Sequence, residues 1–295
     1  MHTTILVTGA TGTVGKETVI QLSLANNARV RAGVHSIIKG ENLKRLPGVE
    51  VVEMDFKDPE SLHAAFTHAD KLFLITPFAA EQFEMARTLV DEAKNAGVKH
   101  IVKLSVLGAE EEPGIHLGRW HREIEEYIEQ SGIPYTFLRP GPFMQNYANF
   151  ETENIQSEGR FYQPTGNGKV SCIDVRDIAA VAVEVLTGPG HEGKAYNLTG
   201  PEALSNQEVA EIFSEVTGKK VEFVDVPESA AKDAMVQHHM PEWMADAMLE
   251  LQRMCKENRY SATTDTVQKL TGRPPHTFRK FAEDYKECFM QGEKQ

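Results

Sequence analysis

The chain has 295 residues, 41% hydrophobic and 25% charged, ordinary proportions for a globular protein large enough to bury a substantial core. Its 43 acidic side chains against 31 basic ones leave a net charge of −12, which excludes the broad basic face that nucleic-acid backbones require. Cys172, Cys255 and Cys288 lie far apart and suit free thiols better than a disulfide frame. Met1 to Thr4 carry no charged-then-apolar leader, and no apolar run approaches bilayer length. A cytoplasmic protein is expected, with neither membrane nor nucleic acid as partner.

In chain order, ILVTG (5–9) reads as a strand and KETVIQLSLAN (16–26) as an amphipathic helix. VRAGV (30–34), VEVVEMD (49–55) and KLFLITP (71–77) follow as strands. Helical periodicity appears around 80–96 and 117–131, on either side of a strand at HIVKLSV (100–106); YTFLRP (135–140) is the next strand. Strands with nearly continuous apolar interiors, alternating with helices, predict an α/β fold, a parallel sheet doubly wound and covered on both faces. Past 145 the rhythm changes. The polar stretch 146–169 reads as loop, 173–188 as a strand end plus helix, and KAYNLTG (194–200) as a strand. A helix at 205–217 and a strand at VEFVDVP (221–227) precede a mainly helical remainder. Residues 1–150 are therefore expected to form one domain, with 173–200 returning to it. Residues 151–172 and 201–295 are expected to build a smaller, mostly helical one.

Where the first strand ends, TGATGTVG (8–15) places glycines at 9, 12 and 15. A strand, then Gly-x-x-Gly-x-x-Gly, then a helix gathers main-chain N–H groups and the positive helix end at one point, which suits a dinucleotide pyrophosphate. Gly9, Thr11, Gly12, Thr13, Val14 and Gly15 are the candidate contacts. Units that take NAD carry an acidic residue about 20 positions on, for the ribose 2′-hydroxyl. Here VHSIIKG (34–40) supplies His35, Ser36 and Lys39 and no acid, so NADP(H) is expected in preference to NAD(H).

TGATGTVG (8–15) resembles the atypical short-chain dehydrogenase/reductases, in particular their NmrA-like branch. So do DFKDPESLHAAF (55–66), AKNAGVKHIVKLS (93–105), SGIPYTFLRPGPFMQN (131–146) and LTGRPPHTFRKFAED (270–284). The resemblance implies a Rossmann-type domain with a smaller substrate-covering domain. It also implies either NADPH-dependent reduction of quinones and cationic dyes or a redox sensor without turnover. By the same resemblance Asp55 and Phe56 border the adenine, and Thr76, Pro77 and Phe78 wall the cofactor. Ser105, Pro140, Gly141, Pro142 and Phe143 lie near the nicotinamide, with Phe78 and Phe143 also facing substrate.

The departure lies in LGRWHREIEEYIEQSG (117–132), where classical short-chain dehydrogenase/reductases carry Tyr-x-x-x-Lys and this chain has Leu117 and His121. Leu117, His121, Ile124 and Ile128 share one helical stripe, so His121 should point inward among apolar neighbours. Without the tyrosine, the expected chemistry is hydride transfer to a quinone, dye or other conjugated aromatic acceptor: a quinone gives a stabilised phenolate, and a cationic triaryl dye takes hydride at carbon with no oxygen to protonate. His121, with an ordinary pKa of about 6.5, is the candidate proton donor. In HHMPEWMADAMLELQRM (238–254), Met240, Trp243, Met244, Ala247, Met248 and Leu251 fall on one helical face. That face reads as core, as a homodimer surface, or as an adaptable wall in which Trp243 and Met244 touch substrate. No ligand spacing for a metal is evident, and Glu110 to Glu112 read as a solvated loop. The alternative function is a non-catalytic NADP(H) sensor acting through a protein partner.

Overall fold

A computed structural model describes residues 3–112 and 114–290; Met1 and His2, where no leader is expected, lie outside them. In chain order the first half runs β1 (Thr3–Val7), α1 (Thr13–Ala25), β2 (Ala28–Val34), β3 (Val49–Glu53), α2 (Pro59–Phe66), β4 (Lys71–Leu74), α3 (Gln82–Asn95), β5 (His100–Leu104), α4 (His116–Ser131) and β6 (Tyr135–Pro140). A π-helical turn (Tyr147–Glu151) leads into α5 (Thr152–Glu158), β7 (Arg160–Gln163), β8 (Lys169–Val170), α6 (Val175–Thr187) and β9 (Lys194–Leu198). The chain continues through β10 (Leu204–Ser205), α7 (Asn206–Thr217), β11 (Glu222–Asp225), α8 (Glu228–Gln237), α9 (Glu242–Lys256), α10 (Thr266–Thr271), α11 (Phe278–Asp284) and α12 (Lys286–Phe289). Among the described residues no helix is long and apolar enough to cross a membrane.

Two compact units emerge. The first comprises the chain up to Gly114, Gly118–Pro140 and Val175–Asn197; the second comprises Ile115–Leu117, Gly141–Asp174 and the chain from Leu198. The first unit holds a seven-stranded sheet in the order β3-β2-β1-β4-β5-β6-β9. The pairings from β3 through β6 are parallel. Side chains alternate across a strand. Leu6, Leu72, Leu74, Ile101 and Phe137 therefore join α2, α3 and α4 in one buried cluster. The opposite face is covered by α1 and α6, which pack on each other. Strand order reverses between β1 and β4, and in open sheets of this kind ligands settle outside the strand ends at that reversal. This is the Rossmann-type fold expected from the βαβ rhythm.

The second unit is built on aromatic rings. Tyr147 meets Phe161, Phe213 and Phe278 edge-on at 5.7, 5.8 and 5.3 Å between centroids, and Phe213 lies 4.5 Å from Phe289. This core corrects the reading of 146–169 as loop. Tyr147, Ile155 and Phe161 are buried anchors, and β7 pairs in parallel with β11, Phe161 opposite Phe223. The polar residues between those anchors hid them. Phe213→Ala should cost about 3–5 kcal/mol, as large-to-small changes in packed cores do. A denaturation midpoint matching the parent's would show that the ring cluster does not hold this unit together.

Candidate functional site

The turn after β1 is closed by its own backbone. Gly9 sits at φ +60°, and Gly12 N–H donates to the Gly9 carbonyl at 2.9 Å. Thr8 ties this end of β1 to the end of β4: its hydroxyl donates to Ile75 O at 2.7 Å and accepts from Ile75 N at 2.8 Å. A Cβ at Gly15 would lie 2.2 Å from the Gly9 oxygen, so only glycine lets α1 start this close to the turn. Thr11, Gly12 and Thr13 are exposed, while Val14 and Gly15 are buried. No side chain caps α1 at Gly12, and no acid stands in its first turn. These N–H groups and the positive helix end suit an anionic pyrophosphate. Just beyond β4, the Thr76 hydroxyl is buried without a hydrogen-bond partner, a second unmet polar group at the strand-order reversal.

Beyond β2, a turn at Ser36 to Gly40 presents His35 and Lys39 exposed and Ser36 half-buried. A cavity of about 570 Å³ lies beside it, lined by Arg31, His35 and Asp55 among others. Arg31 is largely committed elsewhere: it donates to the carbonyls of Ala64 and Ala65 at 3.1 and 3.0 Å and pairs with Glu50. Two carboxylates of the lining serve local turns. Asp55 accepts from Lys57 N at 2.9 Å, and Asp58 caps α2 through Glu60 N at 3.1 Å. Phe56 packs half-buried on the apolar cluster. The structure thus groups His35 and Asp55, two residues picked out from the sequence, around one cavity.

Pro77 is exposed, and Phe78 lies half-buried with its ring 6.0 Å from that of Trp120. Pro140 closes β6 in the first unit; Gly141, Pro142 and Phe143 belong to the second. There Phe143 bridges to Ile173, whose N–H donates to the Pro142 carbonyl at 2.9 Å. On α9 the expected apolar stripe is not the most buried one. Within it Ala247 is buried, whereas Trp243, Met244, Met248 and Leu251 are half-buried; Ala245 and Leu249, outside it, are buried.

Ser105 is nearly inaccessible, and its hydroxyl donates to Glu125 Oε1 at 2.6 Å. Glu125 on α4 has no exposed surface. Arg139 on β6 grips it with two bonds, Nε at 3.0 Å and Nη2 at 2.7 Å, and Arg122 adds a third at 3.2 Å. Burial alone would raise this carboxyl, but the bonds from Arg139 and Ser105 hold it below the ordinary carboxylate range. Arg139 also pairs with Glu110 at 2.8 Å, so this glutamate is not simply a solvated loop residue.

One helical turn before Glu125, the His121 ring meets polar groups instead of the apolar neighbours expected. Lys103 Nζ on β5 lies 3.3 Å from Nδ1, and the Gln82 amide on α3 lies 3.5 Å from Nε2. The stripe on α4 is as expected, but it faces a lysine that no helix pattern could show. Lys103 has no exposed surface and also donates to the Leu104 carbonyl. Burial pulls its ammonium down to about 7, against the opposing pull of Glu125. Burial, then the Lys103 charge, holds His121 well below its usual value, so the imidazole is neutral at neutral pH. Lys103 and Glu125 were both missed in the sequence. The signals were a charge inside the apolar run HIVKLSV, and an acid four residues after His121.

Glu125→Ala would leave Arg139, only 8% exposed, with Glu110 at 2.8 Å as its remaining anionic partner; a loss of about 3 kcal/mol is expected, the lower end for broken buried pairs. Because the folded carboxyl is depressed, this contribution is complete above the ordinary carboxylate range and disappears as pH falls through the depressed value. Urea titrations should show a parent–variant gap that closes on acidification through that value. A gap independent of pH would remove the charge from the explanation.

Comparison with known proteins agrees with this geometry. Residues 1–283 match the model of the NmrA-like family. The NAD(P)H azoreductase of Xenophilus azovorans is 42% identical over 285 residues, 97% of this chain and 99% of that one. The Escherichia coli NADPH-dependent quinone oxidoreductase QOR2, solved with NADPH, superposes with a TM-score of 0.84 at 29% identity, covering 95% of this chain and 99% of that one. The Citrobacter sp. triphenylmethane reductase complexed with NADP(H) gives 0.83 at 33% identity, again with 95% and 99% covered. With its glycine turn, its parallel sheet and a match along nearly its whole length, this chain belongs to the NmrA-like family.

Proposed function

We propose that this protein is an NAD(P)H-dependent oxidoreductase that delivers hydride to a quinone, dye or other conjugated aromatic acceptor. The observation that carries the reading is the uncapped start of α1, held by Gly15 against the Gly9 carbonyl and open at Thr11 to Thr13. Relatives named as azo, quinone and triphenylmethane reductases support the same chemistry. In this reading Gly9 and residues 11 to 15 hold the pyrophosphate. His35, Ser36 and Lys39 take the ribose side, with Asp55 and Phe56 at the adenine. Thr76 to Phe78, Ser105 and Pro140 to Phe143 lie toward the nicotinamide, and Phe78, Phe143, Trp243 and Met244 contact the acceptor.

When bound, the reduced nicotinamide supplies hydride. The chain's own residues bind and orient. A quinone or azo compound spreads the new negative charge over its conjugated system and a cationic dye is neutralised by hydride, so less is asked of a proton donor than an isolated ketone would demand. His121 is the donor in this reading, acting as a neutral imidazole.

NADPH oxidation followed against a panel of quinones, azo compounds and triarylmethane dyes tests the function directly. Turnover above the uncatalysed background is expected; tight cofactor binding with none across the panel would refute the reading. His121→Ala should leave NADPH affinity within a few-fold and lower quinone turnover roughly 10-fold or more.

We also propose NADPH over NADH, because the Lys39 ammonium, with the Ser36 hydroxyl and the His35 imidazole beside it, suits a 2′-phosphate. Calorimetry should give tighter NADPH binding, with Lys39→Ala narrowing the gap by roughly 10-fold, the weight of one charge-assisted contact. Equal affinities in the parent would retire the assignment.

A further inference from the structure

Four side chains interlock between β5 and α4. Residues two apart on a strand are about 6.6 Å apart along it, and residues four apart on a helix about 6 Å. Lys103 and Ser105 on one strand face therefore match His121 and Glu125 on one helix face. The two contacts are Lys103 to His121 at 3.3 Å and Ser105 to Glu125 at 2.6 Å. The second contact is fully paired through Arg139. The first joins two nitrogen groups, one of which must donate and the other accept.

An ammonium has donors and no acceptor, so Lys103 donates and His121 Nδ1 accepts. The imidazole proton then sits on Nε2. The Gln82 amide meets that atom at 3.5 Å, while the Gln82 carbonyl oxygen is buried without a partner. With the oxygen turned toward Nε2, the imidazole N–H and the Gln82 carbonyl pair with each other and the amide NH2 takes the place the oxygen had, since amide orientation is assigned from the network it joins. The ordered series is Lys103 N–H to His121 Nδ1, then His121 Nε2–H to Gln82 Oε1.

We infer that Lys103 is a positioning residue that fixes the Nε2–H tautomer of His121 and refills its proton, replacing the missing Tyr-x-x-x-Lys relay. The inference rests on the proposed reductase reading and deepens it. A cationic dye is neutralised at carbon by hydride and needs no proton, whereas a quinone or azo acceptor that has taken hydride carries two additional electrons and an anionic oxygen or nitrogen. That atom takes the Nε2 proton, forming an O–H or N–H bond as the Nε2–H bond breaks. In concert Nδ1 takes a proton from the Lys103 ammonium. The imidazole stays neutral with its proton moved to Nδ1 and the lysine becomes a neutral amine; after product leaves, water protonates Nε2 of the half-buried His121 as the Nδ1 proton returns to Lys103, which restores the starting tautomer. Electrons come only from the reduced nicotinamide, and the net proton comes from solvent.

The charges around Lys103 fit such a role. From α4 it meets His121 and the field of Glu125, whose own charge is taken up by Arg139 from β6 and by Arg122. From α3 the histidine meets the uncharged Gln82. An ammonium pulled down to about 7 gives up its proton far more readily than a solvated lysine. The relay is charged below that pH and empties above it.

The test has two arms. In the cofactor-free protein, NMR of ε-13C-labelled lysine and 15N-labelled histidine should show Lys103 titrating near neutrality and His121 neutral with its proton on Nε2. A Lys103 that titrates like free lysine, or a proton on Nδ1 at acid pH, overturns the inference whatever the turnover. In the loaded enzyme, quinone turnover of the parent should fall as pH rises through about 7. Lys103→Met should lower kcat by roughly 10-fold or more, flatten that profile and leave the NADPH Kd within about two-fold. A variant that loses activity but keeps the parent's pH slope shows a merely structural lysine and also overturns it. If Lys103→Met does not fold, the solvent isotope effect on the parent decides: a normal effect on quinone reduction that disappears above the Lys103 titration supports the relay, and none at any pH refutes it. Should the parent turn over no acceptor while the NMR arm succeeds, the reductase reading fails and the tautomer assignment stands.

Discussion

The first unit depends on one approach of backbone to backbone, the Gly9 carbonyl lying where a Cβ of residue 15 would be. Any side chain at 15 must push α1 away from the end of β1. Because α1 packs on α6, and both cover the same face of the sheet, that displacement would spread through the layer. The contact also decides what the helix start can do. With the helix drawn in against the strand, its first N–H groups stand beside the strand-order reversal, uncapped by any side chain. A helix end left this way is poorly satisfied alone, and an anion repairs it. The same glycines that weaken the chain locally are what a pyrophosphate at this helix start would require.

Much of this was legible from the sequence because it rests on periodicity. Each strand from β1 to β6 is a short, largely apolar run ended by a turn residue, and each helix carries a stripe facing that layer. The stretch 146–169 was not legible, since its anchors Tyr147, Ile155 and Phe161 fall in three successive elements, a π-helical turn, α5 and β7, with polar residues between them. Their partners, Phe213, Phe223 and Phe278, come from far along the chain. Composition sees polarity there; the fold sees three buried side chains.

The site divides in the same way. The glycine turn is a local motif, and strand, turn and helix supply its context within a few residues. The Lys103–His121 contact joins β5 to α4, and each partner looks unremarkable alone: a lysine in a strand reads as an edge residue, a histidine on an apolar stripe as core. What links them is the near-equality of two helical-turn and strand repeats. Inspection of a single element cannot reveal it, because the coincidence exists only once the helix lies along the strand.

Two opposite charges are buried in this layer, and they are not treated alike. Glu125 receives two bonds from Arg139, one from Arg122 and one from Ser105, so its charge is answered several times over. Lys103 receives a neutral carbonyl and a neutral imidazole, and Glu125 reaches it as a field already offset by two guanidiniums. Burial penalises both ions, but only the carboxylate has compensation enough to stay fully charged. The asymmetry makes Glu125 the fixed point that holds β5, β6 and α4 together. It makes Lys103 the group whose proton is most easily lost. A fold that had answered both charges equally would be no less stable, and would have no proton to lend at neutral pH.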